Sequence, residues 1–189
     1  VKDRIALMRR VGVLFGQRTE LWWDHPVATS FDWKATVWDI PRKEYERTRD
    51  EVVALLDIGD LMKTFTRELS LGQRMRADLG LMLLHRPELI LLDEPFSALD
   101  PDTRAGLQDH VAALMDDGRG AILLVTHDVD EAAVLADRVI VLAPHPGRIA
   151  QVIRIDAPRP RERRGEAVAA ARRQILDALA RTLAASARC

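Results

Sequence analysis

Short apolar runs of strand length punctuate the chain: Arg10 to Phe15 (RVGVLF), Glu88 to Leu92 (ELILL), AILLVTH from Ala121, and VIVLAP from Val139. The run before Asp93 is so short and so apolar that it predicts a central strand, and the others predict buried strands. Segments of helical period lie between them. Pro41 opens a charged helix through Ile58, whose apolar positions Val52, Val53, Leu55, Leu56 and Ile58 share one face. Leu71 to His85 predicts a second helix that stops before Pro87, and Pro101 to Met115 a third. Gly118 to Gly120 predicts a turn, and DVDEAAVLADR from Asp128 a further helix. HPG turns VIVLAP into RIAQVIRID, after which Val168, Ala171, Ile175, Leu179 and Leu183 form a helical stripe expected to pack on the core.

Strands alternating with helices predict an α/β fold with a mostly parallel sheet, interrupted by a helical subdomain over about 31–86. The 189 residues are 48% hydrophobic and 30% charged, enough to bury a core. A net charge of -1 with no dominant basic stripe argues against a nucleic-acid partner. The one dense cluster, Arg159, Arg161, Arg163 and Arg164, reads as a solvated linker. Cys189 is the single cysteine, which excludes a disulfide framework and fits a reducing compartment. No apolar run approaches the ~20 residues that span a bilayer, so membrane association is expected only through a partner.

Four features follow in order: Gln17 after a strand, LSLGQ (Leu69 to Gln73) opening a helix, Asp93-Glu94 ending a strand, and His127 ending the next. Each alone fits an ordinary loop, cap or surface role. Their order and spacing, with LILLDEPFSALD followed about 30 residues later by LLVTHD, make a compound pattern. Adjacent carboxylates at the end of an extended strand diverge, so that one can serve a metal while the other faces water. A helix N-terminus at Ser70 offers unpaired N–H groups to an anion.

At these residues the sequence resembles the nucleotide-binding subunits of ABC transporters, over nearly all of Ile5 to Ile155. The resemblance implies a P-loop NTPase type of sheet core that binds ATP and Mg²⁺. It implies that Asp93 orients the Mg²⁺, usually through water, that Glu94 is the general base, that His127 contacts the γ-phosphate, and that Gln17 senses it and serves the metal. Ser70, Gly72 and Gln73 correspond to the family signature LSGGQ, with Leu71 in place of a glycine, and Asp100 to the loop that crosses the dimer interface. The implied partners are transmembrane permease subunits and a second ATPase subunit, in a homo- or heterodimer peripheral on the cytoplasmic face of the cell membrane. Trp22, Trp23 and Phe31 either line the groove where a permease helix docks or pack inside the helical subdomain.

Nothing in these residues matches G-x-x-x-x-G-K-[ST], the loop that grips the phosphates. Lys63-Thr64 is a decoy, because Met62 stands where glycine is required. The chain begins at Val1 within what reads as mid-domain sequence. The expectation is an N-terminally truncated ATPase domain over 1–156, inactive alone, followed by a linker and C-terminal helix over 157–189. Two alternatives stand beside it: a degenerate, non-catalytic subunit that donates its signature to an intact partner, and an ABC-type ATPase acting on DNA repair or ribosomes. The front half, VGVLFGQRTELWWDHPVATSF with LSLGQRMRADL, resembles export-type ATPases. The back half, LDEPFSALDPDTRAGLQ with VTHDVDEAAVLADRVIVLAPHPGRI, is similar to importer ATPases for nitrate and sulfonates.

Overall fold

Alternation of side chains along three short runs builds the sheet. In β1 (Val11–Phe15), Gly12 and Leu14 are buried between half-exposed neighbours, and in β2 (Leu89–Asp93) Ile90 and Leu92 are buried in the same way. A computed structural model describes residues 2–16, 18–116, 120–144 and 147–186. Its chain divides into two units, residues 1–125 and 126–189.

The first unit holds a parallel sheet in the order β1-β2-β3, with β3 spanning Ala121–Val125. β2 is central, as its apolar run predicts. β3, an edge strand of this sheet, is not the buried strand its sequence suggests: Leu123 and Val125, alternate residues on one face, are 51% and 47% exposed. Register is strict, and Phe15, Asp93 and Val125 are neighbours at the carboxyl ends of the strands. A short helix, α1 (Lys2–Met8), precedes β1, with Ile5, Leu7 and Met8 exposed.

Between β1 and β2 run α2 (Val27–Val37), α3 (Arg42–Leu55), two 3-10 turns, and α4 (Leu71–Leu83). The predicted helix ends at Leu55 and not at Ile58: Val52 is fully buried on α3, and Leu56 and Ile58 are fully buried just beyond its end, together with Phe31 and Leu79. Phe31 is therefore an interior residue of the helical insert, while Trp22, Trp23 and Trp33 stay at the surface. Lys63 and Thr64 follow a 3-10 turn, with no strand before them. After β2 comes α5 (Pro101–Asp116).

The second unit pairs β4 (Arg138–Ala143) antiparallel with β5 (Arg148–Arg154) and adds α6 (Val129–Leu135) and α7 (Glu166–Ser186). Val168, Ala171 and Ile175 of the predicted stripe are buried against Val141 and Ile153, with Ala178 joining them, whereas Leu183 is exposed. Two residues of the arginine cluster are not solvated. The Arg161 guanidinium donates to the carbonyls of Val134, Ala136, Ile155 and Ala157, and Arg159 to that of Leu135 and to Asp137. They satisfy the carbonyls left open where α6 ends, a role suited to a planar group with five donors.

Candidate functional site

The acid pair sits where β2 leaves the sheet. Asp93 is the last residue of the strand, and its carbonyl accepts the Gly16 N–H at 3.0 Å. Glu94 turns away: its φ is 46°, while its N–H still donates to the Val125 carbonyl at 2.9 Å. Its own carbonyl accepts the Ser97 N–H at 3.3 Å and the Ser97 hydroxyl at 3.0 Å. A left-handed non-glycine residue costs about 1–3 kcal/mol and persists only where its surroundings enforce it. Enforcement comes from both neighbours, since a Cβ on Gly16 would stand 2.0 Å from the Glu94 carbonyl oxygen. Both acids are half-buried, within reach of solvent.

The signature turn is a capping box. The Ser70 hydroxyl accepts the Gln73 N–H at 3.2 Å, and the Gln73 side-chain oxygen accepts the Ser70 N–H at 2.9 Å. Among the described residues this leaves the N–H groups of Leu71 and Gly72 as open donors at the start of α4. A Cβ on Gly72 would meet the Thr103 methyl at 2.1 Å, so this glycine is required by close packing against the first turn of α5. Asp100 caps that same helix, accepting the Thr103 N–H at 3.0 Å. The Thr103 hydroxyl first, and its N–H second, hold the Asp100 carboxyl below the usual range. Thr103 thus brings the signature turn and the Asp100 turn together.

His127 belongs to the second unit, two residues past the end of β3, and is exposed. Its turn is pinned on both sides. The Thr126 hydroxyl donates to Glu131 at 2.6 Å and accepts the Asp128 N–H at 3.0 Å. Asp128 in turn caps α6 through the N–H groups of Asp130 and Glu131. Gln17 lies outside the described residues. Among those described, no cluster of three or more His, Cys, Asp or Glu can hold a metal unaided. Asp93 offers one hard oxygen ligand, which suits Mg²⁺, an ion held by one or two carboxylates with water and substrate phosphates filling the rest.

The family model for ABC transporters matches residues 2–97. The chain belongs to the ABC transporter family. It is 38% identical over 172 residues to the aliphatic sulfonates import ATP-binding protein SsuB 2 of Burkholderia cenocepacia, covering 91% of this chain and 62% of that protein. SsuB 1 of Xanthomonas axonopodis pv. citri is 37% identical over 174 residues, with 90% and 69% covered. The bicarbonate transport ATP-binding protein CmpC of Synechococcus elongatus is 38% identical over 126 residues, with 66% and 19% covered. The chain thus spans about two thirds or less of the length of these relatives. The solved structure of cbiO1 from Clostridium perfringens, part of the ABC transporter complex cbiONQ, superposes with a TM-score of 0.66 at 24% identity, over 74% of this chain and 55% of that one. That similarity establishes the fold.

Within this ABC-family chain, sequence reading missed Gly16, Thr103 and the Thr126–Glu131 bond. Only the last left a signal: Asp128 and Glu131 stand at the spacing of a helix-capping pair. Gly16 and Thr103 matter through what they approach in space, which no local pattern announces.

Proposed function

We propose that this chain is the ATP-binding portion of an ABC transporter that couples ATP hydrolysis to moving a solute across a membrane, from a peripheral position on the cytoplasmic face. One observation carries the reading: two carboxylates at the carboxyl end of the central parallel strand, the second held in a left-handed turn away from the first. Ligands of open α/β sheets bind at this edge. In the proposed reaction Asp93 binds Mg²⁺, directly or through water. Glu94 accepts a proton from the water that attacks the γ-phosphorus, His127 donates a hydrogen bond to a γ-phosphate oxygen, and Gln17 monitors the same group. Mg²⁺ supplies charge neutralisation on the phosphates when bound. Ser70, Gly72 and Gln73, with Asp100, complete the site of a second ATPase subunit, the open Leu71 and Gly72 N–H groups facing its phosphates.

The relatives named for aliphatic sulfonates and bicarbonate support import of a small anion. A second reading, export, rests on the front segment. The exposed Trp22 and Trp33, 5.3 Å apart, and Trp23 beneath the Arg74 guanidinium supply an aromatic surface for a permease helix, in the segment that resembles export-type ATPases. Uptake into inside-out vesicles, as against release from them, separates the two.

Glu94→Gln in the full-length protein tests the chemistry. It is expected to bind ATP with unchanged affinity and to lose about 10²–10⁴-fold in turnover, the worth of a general base. Turnover within about twofold of wild type would remove Glu94 from the reaction.

A further inference from the structure

The segment after Gln17 is held in an unusual way. Three consecutive backbone N–H groups bond to side chains instead of to another backbone. The Glu20 N–H donates to Asp78 Oδ1 at 3.0 Å, the Leu21 N–H to the Thr19 hydroxyl at 3.1 Å, and the Trp22 N–H to the Ser30 hydroxyl at 2.9 Å. Ser30 lies on α2 and Asp78 on α4, and they are 1% and 3% exposed. The Glu20 side chain adds an ion pair to the buried Lys34 of α2.

Asp78 is an expensive residue in this place. It interrupts the buried face of α4 between Ala77 and Leu79, and its Oδ2 is buried with no hydrogen-bond partner. A carboxylate buried among apolar side chains has no packing rationale that an alanine would not serve better. What it provides is an acceptor aimed at the segment beside Gln17, on the helix that begins with the signature turn.

The segment also reaches the acid pair through backbone alone. The Gly16 N–H bonds to the Asp93 carbonyl, and Gly16 abuts the carbonyl of Glu94. The Asp78 contact at Glu20 therefore lies four positions along the chain from the acid-pair contact at Gly16. Along α4, Asp78 lies eight residues from Ser70, about 12 Å at 1.5 Å per residue.

We propose that Asp78 is a positioning residue which, with Ser30, locks residues 19–22 onto α4 and α2, so that displacement of the Gln17 segment carries the signature turn with it as one body. This rests on the nucleotide chemistry proposed above. A segment tied by two side-chain acceptors on rigid helices, and braced internally by Thr19, transmits motion, where a solvated loop would absorb it.

The test uses the full-length protein with its partner subunits. Asp78→Ala removes the acceptor, Asp78→Asn keeps an oxygen in its place, and Ser30→Ala independently releases the Trp22 N–H. Amide exchange is read at Glu20, Leu21 and Trp22 against the β2 amides as an internal reference. The expected result is that Asp78→Ala speeds exchange at Glu20 about tenfold or more, the effect of removing the one hydrogen bond that holds this amide, with β2 unchanged. Asp78→Asn stays within about twofold, and Ser30→Ala gives the same release at Trp22. In ATP hydrolysis, Asp78→Ala and Ser30→Ala lower kcat about tenfold with KM for ATP held, and Asp78→Asn restores it.

Retained protection of Glu20 in Asp78→Ala and of Trp22 in Ser30→Ala overturns the clamp. So does released protection with unchanged kcat, which would make these residues structural alone. A wild-type protein that binds but never hydrolyses ATP would overturn the function proposed above. The clamp would then stand or fall on the exchange data and on whether adding ATP alters protection at Glu20 and at Leu71 together.

Discussion

Asp78→Asn tests the electrostatics of the helical insert directly. Burial pushes the Asp78 carboxyl from 3.8 up to about 6; the Thr19 hydroxyl and the Glu20 N–H pull it back, while the Glu20 carboxylate adds to the rise. A carboxyl whose folded value lies above its unfolded value binds more protons when folded. Its contribution to stability is thus full below about 3.8 and lost as pH climbs through about 6. The displacement from 3.8 to about 6 is worth about 3 kcal/mol over the whole range. Between about pH 5 and about pH 7.5 the same two values give a loss of about 1.4 kcal/mol. Asparagine keeps an oxygen for the Glu20 N–H but carries no proton equilibrium, so this slope disappears while every other titrating group is shared by the two proteins. Urea unfolding at the two pH values is the assay. With a slope of about 2 kcal/mol/M, the wild-type midpoint should fall about 0.7 M further than that of Asp78→Asn between the lower and the higher pH. Parallel shifts in the two proteins would refute the reasoning, because they would mean that the Asp78 carboxyl is ionised at an ordinary pKa in the folded state.

Three further outcomes are expected. Gly16→Ala drives a methyl into the Glu94 carbonyl oxygen, 2.0 Å from its ideal position, and should cost about 1–3 kcal/mol in urea unfolding; an unchanged midpoint would contradict the close approach. Arg161→Met orphans the carbonyls of Val134, Ala136, Ile155 and Ala157, so a loss of about 1–3 kcal/mol is expected, read as a lower Tm, whereas a solvated arginine would leave Tm in place. Asp128→Ala removes the α6 cap and should cost about 1 kcal/mol in unfolding, with ATP turnover falling alongside as the His127 turn loosens; turnover held at wild type would detach that turn from the reaction.

How much of this was legible in the sequence depended on whether a residue's role is local. The centrality of β2 and the burial of Val52, Leu56 and Ile58 at and just past the end of α3 were, because burial on both sides or on one stripe leaves a period in the residues themselves. α2 was not. Its buried face includes Ser30 and Lys34, two polar residues whose partners lie on the preceding segment, so the apolar stripe that marks a helix is broken. β3 reads as apolar throughout, yet pattern alone does not say which strand of a parallel sheet lies at the edge. Arg161 looks like solvated charge until the end of α6 and the segment after β5 supply two carbonyls each, and Asp78 looks like an accident on an apolar helix. For the site, the positions of Asp93, Glu94, Ser70, Gly72, Gln73 and Asp100 at element ends followed from motif and order. That Ser70 and Gln73 bond each other, and that Gly72 answers to Thr103, did not.

The left-handed turn at Glu94 ties these observations together. Four non-glycine residues among those described have positive φ: Asp39, Asp57, Arg86 and Glu94. The first three follow the carboxyl ends of α2, α3 and α4, where a left-handed residue is the ordinary way to stop a helix. Glu94 has no helix to stop. Extended backbone there would have served the sheet equally well, and its N–H does keep the ladder bond to Val125. What the turn changes is the direction of everything after the N–H: the carbonyl swings to Ser97, Pro95 and Phe96 go into the core, and the Glu94 side chain leaves the alternation that governs Asp93. Two adjacent carboxylates would otherwise be fixed on opposite faces of one strand. The strain, offset by the Ser97 bonds and permitted by the missing Cβ at Gly16, places both acids at the same strand end with independent directions. That is the arrangement the proposed metal ligand and general base require if they are to serve one phosphate from different sides.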